Sequence, residues 1–263
     1  MSFWVAIILG LIQGLTEFLP VSSSGHLTFF ELLFGFGEGS VFYNIVLHVA
    51  TLLALIIVMW KDIVQLIKNP LSKYMRMLLL STILTGIIGI IIDVFIGASG
   101  SLLIIAIGFI ITAILMIILN YAIKKRDCTI GEIGYKQATI VGVVQGIAVL
   151  PGLSRSGSTL AAGVLSGAGQ PQSAKYSFIL SIPIILGGTI YEIYKGIKHG
   201  FGFSQADILP MIVGFVVAFV AAILTLKWMF KLVNKNKWIW FSVYLISFAI
   251  AIIIYGAVTG ALI

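Results

Sequence analysis

Long apolar runs divided by short polar breaks dominate this chain. Six of them, about 41–60, 77–98, 102–123, 174–194, 208–230 and 238–258, hold some twenty residues with few charges. That is the length a helix needs to cross a bilayer. Two other stretches are broken differently. An apolar start, Phe3 to Leu15, leads into "QGLTEFLPVSSSGH" (13–26), after which a modest run covers Leu27 to Phe36. Midway, "QGIAVLPGLSRSGST" (145–159) leads in the same way to Thr159–Ala168. Neither second run is long enough to span. The pattern predicts two re-entrant helical hairpins, each entering and leaving on one side. Irregular backbone at membrane depth is tolerated only where protein or a water-filled cavity covers it. The expected fold class is therefore all-α, a polytopic integral membrane protein with six transmembrane helices plus two re-entrant helical hairpins.

The two polar breaks look like copies. With Gly10 laid on Gly142 and no gaps, Gln13, Gly14, Ser22, Ser24 and Gly25 meet Gln145, Gly146, Ser154, Ser156 and Gly157. The offset is 132 in a chain of 263, while Pro20 and Pro151 miss register by one. Self-similarity at half the chain length signals duplication. An odd number of spans separates the copies, so the second lies upside down relative to the first. The expectation is one membrane domain, 1–263, built from two inverted repeats, about 1–123 and 137–263. In an inverted-topology repeat the paired breaks meet near the bilayer midplane.

Composition supports the membrane reading: 60% of residues are hydrophobic and only 10% charged, with a mean hydropathy of +1.16. The net charge of +7 does not imply nucleic acid, which needs a basic face on a soluble fold. Thirteen Lys and Arg fall in 61–76, 124–136, 227–237 and at Lys175, against Lys195 and Lys198 on the other side. By the positive-inside rule the richer side is cytoplasmic. Both termini then lie outside, and Arg155 falls within the membrane region. The lone Cys128 excludes an internal disulfide. The apolar start lacks a basic leader and a small-residue cleavage site, so it is expected to be retained.

The chemistry gathers in the breaks. Serines after a broken helix favour the N-cap of the next one, and a helix N-terminus with free amides attracts anions. Arg155, between Ser154 and Ser156, adds a planar fork that suits phosphate oxygens. An intramembrane Arg is costly and is by default a functional candidate; its structural alternative is an ion pair with Glu17 joining the hairpins. Glu17 has Val149 as its counterpart, and His26 has Ser158. Chemistry that is not duplicated on a duplicated frame suggests catalysis. Glu17 could act as a base or hold a divalent cation, and His26 could move a proton or attack. Gln13 and Gln145 are expected to orient neighbours or to bridge the hairpins by hydrogen bonds. His48 and Asp93 are placed near span ends and left outside the core site, and Glu31 and Glu38 are expected to be solvated.

"QGLTEFLPVSSSGH" resembles the acid-rich and P-V-S-S-x-G-H stretches of the undecaprenyl-diphosphate phosphatase family, also called bacitracin-resistance proteins. "PGLSRSGST" resembles that family's P-G-x-S-R-S-x-x-T motif, and "YSFILSIP" (176–183) and "LHVATLLA" (47–54) resemble two more of its stretches. The resemblance spans both halves. It implies hydrolysis of a polyprenyl diphosphate lipid to the monophosphate, recycling the carrier for cell-wall glycans. It also implies a plasma-membrane site facing outward and dependence on a divalent cation (Mg2+ or Ca2+), with Glu17 the candidate ligand. A homodimer is left open. Carried over by motif, Glu17, Ser23, His26 and Arg155 are the catalytic candidates, and Ser22, Ser154, Ser156 and Thr159 join Arg155 in binding phosphate. Gln13 stands at the first position of the (E/Q)-x-x-x-E motif, which admits Gln, and Asn44 stands where many relatives carry an acid.

Three nucleophiles fit this set: Ser23 with His26 as its base, His26 itself, or an activated water. The first is favoured slightly, because a hydroxyl needs an adjacent base. A rival reading makes the same cup a polyprenyl-phosphate flippase, since inverted repeats with broken helices are also carrier architecture.

Overall fold

In the computed structural model, the described residues are 2–35, 40–96, 101–125, 131–199, 205–233 and 235–262. They form eleven α-helices and a short 3-10 turn at Gln205–Asp207. The first hairpin is α1 (Phe3–Thr16) and α2 (Ser23–Leu33). There follow α3 (Ser40–Val58), α4 (Trp60–Lys68), α5 (Lys73–Ile96) and α6 (Leu102–Lys125). The second hairpin is α7 (Tyr135–Ile147) and α8 (Arg155–Leu165). The chain closes with α9 (Gln170–His199), α10 (Ile208–Val233) and α11 (Ile239–Thr259). Expectations placed on Glu38, Arg126 and Cys128, and on most of the 97–101 connection, fall outside the described residues.

Six helices, α3, α5, α6, α9, α10 and α11, are long and apolar enough to cross a membrane. The chain is a polytopic membrane protein. Its outer surface agrees: Phe95, Val258 and Leu71 are more than four-fifths exposed. Water would penalise such an apolar surface, and lipid does not. Inside, the polarity is reversed, with Gln13, Thr51, Ser81, Gln145, Ser154 and Thr159 almost fully buried. At about 1.5 Å per residue, α1, α2, α7 and α8 are each shorter than the hydrocarbon core of about 30 Å.

The segment 61–76, expected as a loop, is instead α4 and the start of α5. None of α4's residues is buried, while Trp60 and Ile67 are exposed apolar positions beside Lys61 and Lys68. Alternating charged and apolar residues read locally as a loop, but they suit a helix lying at a lipid–water boundary.

Small residues let the hairpins approach the spans. A Cβ at Gly10 would meet Gly214 backbone at 2.5 Å, and one at Gly14 would meet Ala218 O at 2.5 Å. This sets α1 tightly on α10. In the second half a Cβ at Gly142 would meet Ser81 at 2.7 Å and one at Gly146 would meet Ile88 at 2.6 Å, which sets α7 on α5. Small-residue seams of this kind are how helices pack without a hydrophobic driving force. The helices α3 and α9 also pack together, as do α6 and α11. Each broken hairpin is thereby seated against a span, α1 on α10 and α7 on α5.

Candidate active site

Local sequence explains both breaks. The helix α1 ends at Thr16 with Glu17 as its C-cap, three residues before Pro20, and a proline both lacks an N–H and restrains its predecessor. The helix α2 restarts after Ser22, whose hydroxyl accepts from Gly25 N at 3.4 Å. The helix α8 restarts after Ser154, whose hydroxyl accepts from Gly157 N at 3.1 Å. Gly152, at φ 82, makes the second turn. The first turn has no glycine there and bends at Ser22 itself, at φ 65. A non-glycine residue in this region carries strain and marks functional positions.

The breaks meet at Glu17, whose side chain is 1% exposed. Arg155, the first residue of α8, donates from Nη2 to Glu17 Oε1. Ser23, the first residue of α2, donates to Glu17 Oε2 at 2.5 Å. Gln13 Nε2 donates to the same oxygen at 3.0 Å and reaches Thr51 on α3 at 3.5 Å. The ion pair weighed from sequence as a structural alternative is therefore present. It does not exhaust the arginine, which has five N–H donors and a side chain that is 21% exposed.

The hairpins are sewn together by hydroxyls. Ser156 donates to Leu19 O at 2.7 Å and Ser154 to the same carbonyl at 3.4 Å. Thr112 on α6 accepts from Ser154 N at 3.0 Å. Thr159 donates to Arg155 O at 2.8 Å and pairs with Ser177 on α9. Four of the expected phosphate ligands, Ser22, Ser154, Ser156 and Thr159, are buried and shape the cup from behind. Its reachable donors are Ser23, Ser24 and Arg155.

His26 lies in the same hairpin but does not face Ser23. Its Nδ1 meets Ser22 O at 2.7 Å and its Nε2 meets the Tyr244 hydroxyl at 2.6 Å. The ring stacks on Phe248 with centroids 4.5 Å apart. A carbonyl can only accept, so Nδ1 carries the proton and Tyr244 donates to Nε2 in the neutral ring. The favoured pairing of Ser23 with His26 is thus not what the structure brings together: Ser23's proton points at Glu17. Gln145 is likewise remote from Glu17, donating to Thr85 at 3.2 Å.

Glu31 departs from expectation. It is 8% exposed, because α2 turns it inward against Asn44 of α3. Asp93 does reach an exposed position, accepting from Tyr191. Leu19 O, Tyr244 and Ser177 went unnoticed from sequence as site residues. Ser177 and Thr51 did lie in the stretches "YSFILSIP" and "LHVATLLA", whereas Tyr244 is one of two tyrosines in an apolar span with no local signal.

Among the described residues, no three His, Cys, Asp or Glu cluster to hold a metal. One oxygen nevertheless stands ready: Gln13 Oε1 is buried beside Glu17 and receives no hydrogen bond. A hard divalent cation takes oxygen ligands and is often held by one carboxylate plus substrate phosphates. The residues present fit that kind of site.

The sequence model of a family described as bacitracin resistance protein BacA matches residues 6–251. A Bacteroides thetaiotaomicron protein named undecaprenyl-diphosphatase is 40% identical over 264 residues, covering 97% of this chain and 99% of that protein. One of the same name from Bacteroides fragilis is 41% identical over 254 residues, with 93% and 94% covered. Another, from Carboxydothermus hydrogenoformans, is 35% identical over 260 residues, with 98% of each chain covered.

Proposed function

This chain belongs to the bacitracin resistance protein BacA family, and from that premise we infer what its buried polar cup does. It is a membrane phosphatase that hydrolyses undecaprenyl diphosphate to the monophosphate and phosphate, recycling the lipid carrier for cell-wall glycan synthesis.

The observation that carries the assignment of roles is the convergence on Glu17 of Ser23 from one hairpin and Arg155 from the other. The diphosphate sits against Arg155, Ser23, Ser24 and the N-terminal amides of α2 and α8, with the lipid tail along the apolar flank. Ser23 Oγ attacks the terminal phosphorus while its proton passes to Glu17 Oε2. The bond to the bridging oxygen breaks, and lipid monophosphate departs with that electron pair. Arg155 neutralises the developing charge, the main task in phosphoryl transfer. Water then frees phosphate from Ser23, and Glu17 returns the proton. His26 positions the hairpin by holding the strained Ser22 carbonyl. Gln13 and Glu17 would hold a divalent cation, Mg2+ or Ca2+. When bound, such an ion supplies charge neutralisation on the diphosphate.

Two further features belong to this reading. The hairpins are re-entrant arms of inverted repeats. In support, α2 and α8 begin and end 132 residues apart. Helix partners also exchange under that offset: α1 packs on α10 as α7 packs on α5, and α3 on α10 as α9 on α5. The cup opens outward, away from the lysine-rich loops. The test is release of phosphate from undecaprenyl diphosphate carrying a labelled terminal phosphate, using purified protein in detergent. Ser23→Ala should lose at least about a thousandfold, since a positioned nucleophile and its base act as a unit. Retention of near-normal turnover would assign the attack to water.

A further inference from the structure

Of the chain's histidines, His26 and His48 lie inside the bundle, and they differ in what their rings have left to give. His26 has both nitrogens engaged. His48 Nδ1 meets Asn44 O at 2.7 Å, so the same tautomer argument puts its proton on Nδ1. Its Nε2, the basic nitrogen of the neutral ring, has no hydrogen-bond partner among the described residues. His48 was set aside from sequence as a span-end residue, yet its place on α3 is close to the chemistry. Asn44, His48 and Thr51 follow each other at i, i+4 and i+7, hence on one face. Thr51 donates to His48 O at 3.0 Å and accepts from Gln13, the residue bonded to Glu17. The His48 ring lies within electrostatic reach of the Glu17 carboxylate.

One turn before His48 on α3, Asn44 meets Glu31 of α2, and each keeps one unpartnered oxygen. Asn44 Oδ1 and Glu31 Oε1 are both buried and receive no hydrogen bond, and the two side chains adjoin. Buried acceptors without donors are sites for internal water. A short file of waters past Glu31 and Asn44 would end at His48 Nε2.

We propose that His48 is the proton acceptor for the water that completes hydrolysis, and that Glu31 and Asn44 line the route by which this water arrives. The proposal rests on the phosphatase reading above. In this step the water oxygen bonds to the phosphorus held on Ser23, and the Ser23 O–P bond breaks. The electron pair of that bond stays on Ser23 Oγ and takes the proton that Glu17 has kept. The water's proton goes to His48 Nε2, which later releases it to solvent. The carboxylate within reach of His48 is Glu17 at the end of α1, itself paired with Arg155, and Glu31 of α2 adjoins Asn44 one turn before His48. Lys175 of α9 is turned to Asp62, and Tyr176 to Ser81. The stretch 208–226 of α10 has no charged side chain.

The experiment uses full-length protein and substrate labelled in the terminal phosphate, with rapid quenching and a pH profile. His48→Gln should slow steady-state phosphate release about a hundredfold, the lower range for a lost general base, and lose the acid limb of the kcat profile. Labelled protein should accumulate, with the label on Ser23. Added imidazole should restore part of the loss in His48→Ala. Asn44→Leu, which dries the route without changing the ring or Glu17, should cause the same accumulation and so covers the case of a misfolded His48 variant. Loss of the acid limb without trapped label would keep His48 as the base but give the first attack to water, overturning Ser23 as nucleophile. Turnover within about threefold of normal and an unchanged pH profile, in a folded His48→Gln or in Asn44→Leu, would overturn the inference.

Discussion

The two hairpins are built alike and equipped differently. The helices α2 and α8 span 23–33 and 155–165, and each begins on a serine whose hydroxyl caps a glycine N–H. The equivalent first helical positions are Ser23 and Arg155. One carries a hydroxyl, the other a guanidinium, and both bond to the same carboxylate, Glu17, through different oxygens. The counterpart of Glu17 is Val149, half-exposed and apolar. Where the first turn strains Ser22 at φ 65, the second has Ser154 at φ −76 and takes its bend at Gly152. The two hairpins thus supply two matched helix N-termini. On the mechanism proposed above, nucleophile and charge clamp occupy equivalent points of unequal copies.

The hardest test of that division is removal of the clamp. Arg155→Ala should lower kcat/KM about a thousandfold or more, because arginines that stabilise phosphoryl transfer are worth about 10³–10⁵. Part of the effect is the uncompensated burial of Glu17, so Arg155→Lys separates the contributions. It keeps the charge but loses the fork, and should recover only part of the rate. An Arg155→Ala enzyme that kept most of its turnover would end the assignment of the second hairpin to charge stabilisation.

A milder test uses the seams. Gly14→Ala places a Cβ 2.5 Å from Ala218 O, and Gly146→Ala places one 2.6 Å from Ile88. Overpacking of this order costs about 1–3 kcal/mol, so both variants should unfold at lower temperature by similar amounts. Only Gly14→Ala should also depress kcat, since α1 carries Gln13 and Glu17 while α7 carries no reacting group. Equal losses of activity would mean that α7 positions Arg155 as closely as α1 positions Glu17.

Much of this was legible in the chain. Six spans follow from runs of about twenty apolar residues, and the breaks announce themselves through Pro, Ser and Gly in a greasy background. What sequence hid is contact between remote positions. Ser23 and His26 are three apart, which suggested a nucleophile and its base, but His26 is drawn away by Ser22's carbonyl and by Tyr244, 218 residues distant. Glu31 looked solvated beside a glycine-rich turn, yet the helix face it occupies turns it onto Asn44. The helix α4 leaves no long apolar run in the chain, because charged and apolar residues alternate there at the rhythm of an interfacial helix.

The smallest expected effect bears on His26, the residue that most separates the first break from the second. If its work is to hold the Ser22 carbonyl, then Tyr244 matters only through it. Tyr244→Phe removes one hydrogen bond, worth about 1 kcal/mol, and should lower kcat by about fivefold with little change in KM. His26→Gln should lower it further, because it frees the strained Ser22 as well. The informative quantity is the double variant. Residues acting in one network show coupling in a double-mutant cycle, whereas independent residues add. Tyr244→Phe introduced into His26→Gln should therefore cost almost nothing more. Full additivity would mean that Tyr244 serves the site by some path other than His26, for instance by lining the lipid's approach along α11. Loss of proton transfer in His26→Gln, read as a displaced pH profile, would return His26 to the reaction itself.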